Sequence, residues 1–137
     1  MINNKFIVYE DKKFKVTCGE DIFKRIKEID INHEQENFIV FFMNNQNRII
    51  KEEVLFKGGF DSCLICPNTI FRMALLNNSN KIIISHNHPS ESLNPSNEDL
   101  EVFNMLKDAG EIINIKVLDN VIFNKQGFYS VIEKGGL

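Results

Sequence analysis

Ile82-Ile83-Ile84-Ser85-His86-Asn87-His88-Pro89, followed after a short polar run by Pro95-Ser96-Asn97-Glu98-Asp99, decides how the rest of this sequence is read. The isoleucines predict a buried strand over 81–85, with the two histidines at its end. Side chains alternate along a strand, so residues two apart share a side and both imidazoles can grip one ion. Ser96 with an acidic residue three positions later reads as a helix N-cap close to a capping box. Asp99 then falls in the first helical turn, where its carboxylate can supply a third ligand. Two His, one carboxylate and an open fourth position make a catalytic zinc site; a structural site is closed by a fourth protein ligand.

Taken singly, Ser96 and Asp99 would be a cap, and two histidines after a strand a solvated turn. Only three histidines occur in the chain, however, and two of them fall in this motif. Ser96 can cap the helix and still aim its hydroxyl at a substrate on the metal. The combination is read as a zinc hydrolase site, with structural context as its check.

At 137 residues the chain has the length of one domain with a substantial core. Hydrophobic content of 43% and charged content of 26% are ordinary for a globular protein. No apolar run approaches the roughly 18–20 residues needed to cross a bilayer. Met1-Ile2-Asn3-Asn4-Lys5 lacks the pattern of a signal peptide, so a soluble cytoplasmic chain is expected. The formal charge of −3 weighs against a nucleic-acid surface, which needs a basic stripe. The clusters Lys12, Lys13, Lys15 and Lys24, Arg25, Lys27 are diluted by Glu10, Asp11, Glu20, Asp21 and Glu28, and read as a solvated face. Cys18, Cys63 and Cys66, an odd set without a signal peptide, are expected as reduced thiols. Cys63 and Cys66 have C-x-x-C spacing but sit in an expected strand, where positions three apart face opposite ways. They read as core or edge thiols rather than a redox pair.

Outward from the motif, periodicity predicts short strands at 6–9 and 14–17 and a helix over 20–29 that buries Ile22, Phe23, Ile26 and Ile29. His33 follows in a polar connection as a surface residue. Strands are expected at 38–43 and 48–56, joined through Asn44-Asn45-Gln46-Asn47 and broken by Gly58-Gly59, with another at 62–66. Pro67 opens a helix to about Asn77 that buries Ile70, Phe71, Ala74 and Leu75. The helix after Ser96 carries Leu100, Val102, Phe103, Met105, Leu106 and Ala109, with Gly110 placed to end it. Strands at 115–123 and 128–132 close the domain. The irregular alternation of elements predicts an α/β fold with a mixed sheet and helices packed on it.

Zinc held by His86, His88 and Asp99 would lower the pKa of its water toward about 7. Amide hydrolysis also needs a base that takes the water proton and returns it to the leaving amine, and Glu is the usual choice. It needs a donor for the oxyanion too, and the Ser96 hydroxyl is close in sequence. Glu36, Glu52 and Glu53 are the candidate bases. Glu36 precedes the strand at 38–43 and could stand at the rim of a site; Glu52 and Glu53 lie within a strand and face opposite ways. Spacing does not separate the three.

His86-x-His88, seven residues, Ser96, two residues and Asp99 match the JAMM (MPN+) metalloprotease signature without a gap. His86-Asn87-His88-Pro89-Ser90 through Pro95-Ser96 and Asp99 resembles the RadC-type JAB domain in particular. Glu36-Asn37-Phe38 is similar to that family's Glu-x-Phe strand start and Gly58-Gly59 to its Gly-Gly turn. Ala109-Gly110, Leu118-Asp119 and Tyr129-Ser130 are similar to its later segments, so the resemblance covers roughly residues 20–135. It implies a cytidine-deaminase-like α/β fold, a single domain over the chain, zinc on His86, His88 and Asp99, Ser96 as oxyanion partner and Glu36 as general base.

Three positions depart from the family pattern. Glu91 stands where Gly is usual after His-Pro-Ser, Asp119-Asn120 where Asp-His is usual, and Pro67-Asn68 where Pro-Arg is usual. They bear on substrate recognition rather than on metal binding. The helix-hairpin-helix segment found ahead of the JAB domain in longer RadC proteins has no counterpart here, so no DNA role tied to it is expected. The expected partner is a peptide or protein with an amide or isopeptide bond, not a nucleic acid or a membrane. A non-catalytic JAB-fold binding module or DNA-repair accessory is the alternative, against which the intact ligand set argues. A nucleobase deaminase would need His-x-Glu and Pro-Cys-x-x-Cys, which are absent.

Overall fold

In the computed structural model the described residues are 14–57 and 66–135. In chain order they form α1 (Gly19–Ile26), β1 (Asn37–Met43), β2 (Ile49–Lys57), α2 (Pro67–Leu76), β3 (Lys81–Asn87), α3 (Asn97–Ile113), β4 (Lys116–Phe123), β5 (Phe128–Ser130) and α4 (Val131–Gly135). The strands make one mixed sheet in the order β2-β1-β3-β4-β5. β1 runs antiparallel to both neighbours, β3 and β4 are parallel, and β5 returns antiparallel to β4. The parallel step is made through α3, as a crossover between parallel strands requires.

β1 is buried along its whole length because both sheet faces are covered. Phe38, Val40 and Phe42 enter a cluster with Ile82 and Ile84 of β3, Ile70, Phe71 and Ala74 of α2, and Val102, Phe103 and Leu106 of α3. Ile39, Phe41 and Met43 enter a second cluster with Ile83, Val121 and Phe123, closed by Ile22, Phe23 and Ile26 of α1. The period of two thus sorts one apolar run between two cores, the first under α2 and α3, the second under α1. His86 continues the Ile82–Ile84 side of β3, and therefore faces α3.

Several boundaries differ from expectation. Residues 6–9, Gly58-Gly59 and most of 62–66 lie outside the described residues. The expected strand at 14–17 is reduced to one antiparallel bridge, Lys15 to Arg48, because α1 begins at Gly19. Leu75 is 63% exposed rather than buried, since the buried face of α2 is carried by Ile70, Phe71 and Ala74. Cys66 is an exposed residue preceding α2, not a strand or core thiol, and Cys63 is not among the described residues.

Gly110 does not end α3. The helix runs on to Ile113 and stops at Asn114, left-handed at φ 62°. A Cβ on Gly110 would lie 2.2 Å from the Ile115 carbonyl, so its bareness admits the chain leading into β4. The last strand also ends early, at Ser130, because the Ser130 hydroxyl caps α4 by accepting the Glu133 N–H at 3.1 Å. Among the described residues no helix is long and apolar enough to cross a membrane.

Candidate metal centre

Three elements converge on the motif. β3 carries His86, which registers opposite Phe38 of β1 on one side and Ile122 of β4 on the other. His88 follows one residue after the strand ends. α3 points its N-terminus at the pair, and its first turn carries Asp99. The helix starts there because Ser96 closes a full capping box. Its Oγ accepts the Asp99 N–H at 3.0 Å, while the Asp99 carboxylate accepts the Ser96 N–H at 2.7 Å. The box does more than begin a helix: it fixes the carboxylate that faces the histidines.

Asp99 meets both rings. His86 Nε2 lies 2.9 Å from Oδ1, and His88 Nε2 lies 2.9 Å from Oδ2. The two ring centroids are 5.0 Å apart. One ligand atom from each of His86, His88 and Asp99 lies within 4.8 Å of the others, a group that could hold a metal ion. His86 is 2% exposed and Asp99 8%, while His88 is half-buried, so two of the three donors are largely desolvated.

Protonation follows from the partners. His88 Nδ1 is 3.0 Å from the Ser92 carbonyl, which can only accept, so Nδ1 carries a hydrogen. Nε2 faces the Asp99 carboxylate, which favours a hydrogen there as well. The Asp99 hydrogen bond raises the His88 pKa in this metal-free arrangement. Burial by itself would raise Asp99, but hydrogen bonds from His86 and His88 outweigh it and hold the carboxyl far below the ordinary range. A cation replacing the Nε2 proton would keep Nδ1–H on Ser92, the second-shell arrangement that orients histidine ligands.

The three carboxylates named as candidate bases stand in different surroundings. Glu52 pairs with Arg25, with Nε to Oε1 at 2.8 Å, and Glu53 pairs with Lys51 at 3.2 Å. Glu36 stands just before β1, half-buried. Burial raises its pKa, while the charges of His88 and His86 pull it down and that of Asp99 pushes it up. Glu36 thus shares the electrostatic environment of the cluster. His33 stands outside the donor set, half-buried and edge-on to the Phe123 ring.

At the departures from the family pattern, Glu91 is exposed and holds a left-handed φ of 66°, and Asn68 is exposed in the first turn of α2. Asn120 is buried, with Nδ2 3.5 Å from the Asp99 backbone carbonyl. The Ser92 carbonyl was not foreseeable as a partner of His88, because every residue has a carbonyl and only the loop's path selects one.

The profile of the family described as RadC-like JAB domain matches residues 16–137. Curated relatives are UPF0758 proteins. One from Staphylococcus haemolyticus is 38% identical over 125 residues, 91% of this chain and 55% of the relative. One from Listeria innocua is 37% identical over 129 residues, 94% of this chain and 58% of the relative. One from Clostridium botulinum is 38% identical over 125 residues, 91% and 55% of the two chains. The chain spans about half the length of the curated relatives it matches.

Proposed function

The chain belongs to the RadC-like JAB family, and from that premise we propose a zinc-dependent hydrolase of amide bonds, a peptidase or isopeptidase. The observation that carries the reading is the convergence of His86, His88 and Asp99 within 4.8 Å, with the His88 ring held from behind by Ser92. Two imidazoles and one carboxylate are a borderline-soft donor set of the kind zinc takes, and three protein donors leave a position open. Held there, zinc supplies a Lewis acid that acidifies water toward a pKa of about 7 and polarises a carbonyl.

The chain's own residues supply the rest. His86, His88 and Asp99 hold the ion, and the capping box keeps the Asp99 carboxylate in place. Glu36 accepts the proton of the attacking water and returns it to the leaving amine; a carboxylate whose proton affinity burial has raised suits that shuttle. The Ser96 oxygen is engaged by the Asp99 N–H, so its hydroxyl hydrogen remains to donate to the oxygen of the scissile carbonyl as charge builds there. The substrate in this reading is a peptide or protein, and the negative net charge supports that over nucleic acid. The setting is the cytoplasm.

The test is cleavage of a panel of quenched-fluorescent peptides and lysine ε-isopeptides by the zinc-loaded chain, beside Glu36→Gln. The expected result is turnover by the wild type and a loss of roughly 10²–10⁴-fold in the variant with zinc retained. A zinc-loaded wild type that cleaves nothing and equals Glu36→Gln would instead favour a non-catalytic binding module.

A further inference from the structure

Asn87 lies in the chain between His86 and His88 and takes no part in the metal centre, yet it is 2% exposed and fully engaged. Its Oδ1 accepts the Asn37 N–H at 2.9 Å, and its Nδ2 donates to the Gln35 carbonyl at 2.8 Å and to the His33 carbonyl at 3.2 Å. The Gln35 carbonyl belongs to the peptide unit before Glu36, and the Asn37 N–H to the peptide unit after it. One carboxamide therefore grips both peptides that flank a single residue, and that residue is Glu36. Asn37, wholly buried, adds to the hold: the two hydrogens of its Nδ2 are shared among three acceptors, Asn87 Oδ1 at 3.1 Å, the Gln35 carbonyl at 3.1 Å and the Asn32 carbonyl at 3.0 Å.

We propose that the Asn37–Asn87 pair is a positioning clamp for Glu36, fixing the base to the same short segment that carries two of the metal ligands. The inference rests on Glu36 being the base, as read above. The backbone ladder between β1 and β3 ends at Phe38–His86, so Glu36 lies beyond its last rung. Two peptides held by one side chain leave φ and ψ at Glu36 little freedom, and the carboxylate inherits that order. Hydrogen bonds offset the burial of the whole Asn87 carboxamide and of Asn37 Nδ2, while Asn37 Oδ1 is buried without a hydrogen-bond partner. Reach matters because proton transfer needs heavy atoms within about 3 Å of one another, and misplacement by an ångström is expensive.

The experiment compares zinc-loaded wild type with Asn87→Ala in three readouts: zinc stoichiometry, kcat against KM on a lysine ε-isopeptide, and amide hydrogen exchange. The clamp predicts unchanged zinc, kcat reduced at least about tenfold with KM within about twofold, and protection lost at Asn37 but kept at Val40 and Phe42. Wild-type kcat, or loss of zinc together with rate, would overturn it; the latter would mean Asn87 acts through the ligands. Where Asn87→Ala does not fold, Asn87→Asp preserves volume. It still accepts from Asn37 but presents oxygen to the Gln35 and His33 carbonyls, so protection at Asn37 with reduced kcat is expected, and wild-type kcat overturns the clamp. Failure of the hydrolase reading shows separately, as a wild type without zinc or turnover. In that outcome the clamp for a base falls with the reading it rests on, and protection lost at Asn37 in Asn87→Ala would show only a structural tie between Asn87 and the Glu36 segment.

Discussion

Asp99 meets two demands at once: its carboxylate faces both imidazoles and accepts the Ser96 N–H, while its own N–H is held by the Ser96 hydroxyl. Ser96→Ala removes one half of that box. It should cost about 1 kcal/mol of stability by urea denaturation and, in the proposed mechanism, where Ser96 donates to the oxyanion, lower kcat by roughly 10²–10³-fold while zinc stays bound. Glu91 offers the opposite kind of test. A side chain at φ 66° pays a left-handed penalty that glycine avoids. Glu91→Gly should therefore raise stability by about 0.5–1 kcal/mol in the same assay, with zinc content unchanged.

At the scale of elements, the part of the site that was legible in the sequence is the part fixed by local geometry. Alternation along the expected strand placed His86, and His88 just past the end of β3, on one side, and the Ser96 cap put Asp99 in the first turn, with no knowledge of the rest of the chain. The surroundings of Glu36, Glu52 and Glu53 were not legible from spacing alone, because burial beside the cluster and the approach of Arg25 to Glu52 depend on the tertiary fold, whereas the Lys51–Glu53 pair is local to one strand. Gly110 was misread for the same reason. A glycine near the end of an apolar period looks like a stop, and only the approach of the Ile115 carbonyl shows that it is a point of contact. Likewise Ser130 caps a helix that periodicity alone reads as more strand. Gly110→Ala tests the corrected reading. It should cost about 1–3 kcal/mol or prevent folding, whereas alanine at a mere helix interior position would stabilise.

Across the molecule, a metal held by His86, His88 and Asp99 would compete with protons for one set of atoms. Without metal, the His88 pKa is raised above its ordinary 6.5 by Asp99. That contribution to stability is fully present below the unfolded value and is lost as pH rises through the higher folded one. The chelator-treated chain should therefore melt at a lower temperature at about pH 9 than at about pH 6, and His88→Gln should flatten that dependence. Zinc should raise the melting temperature, by an amount equivalent to about 2.7 kcal/mol at a hundredfold excess over its Kd. The most direct test of the whole account is elemental analysis of the purified chain beside Asp99→Ala. The account predicts about one zinc per wild-type chain and none in the variant. A wild type that takes up no zinc, even after refolding with excess zinc sulfate, would contradict it.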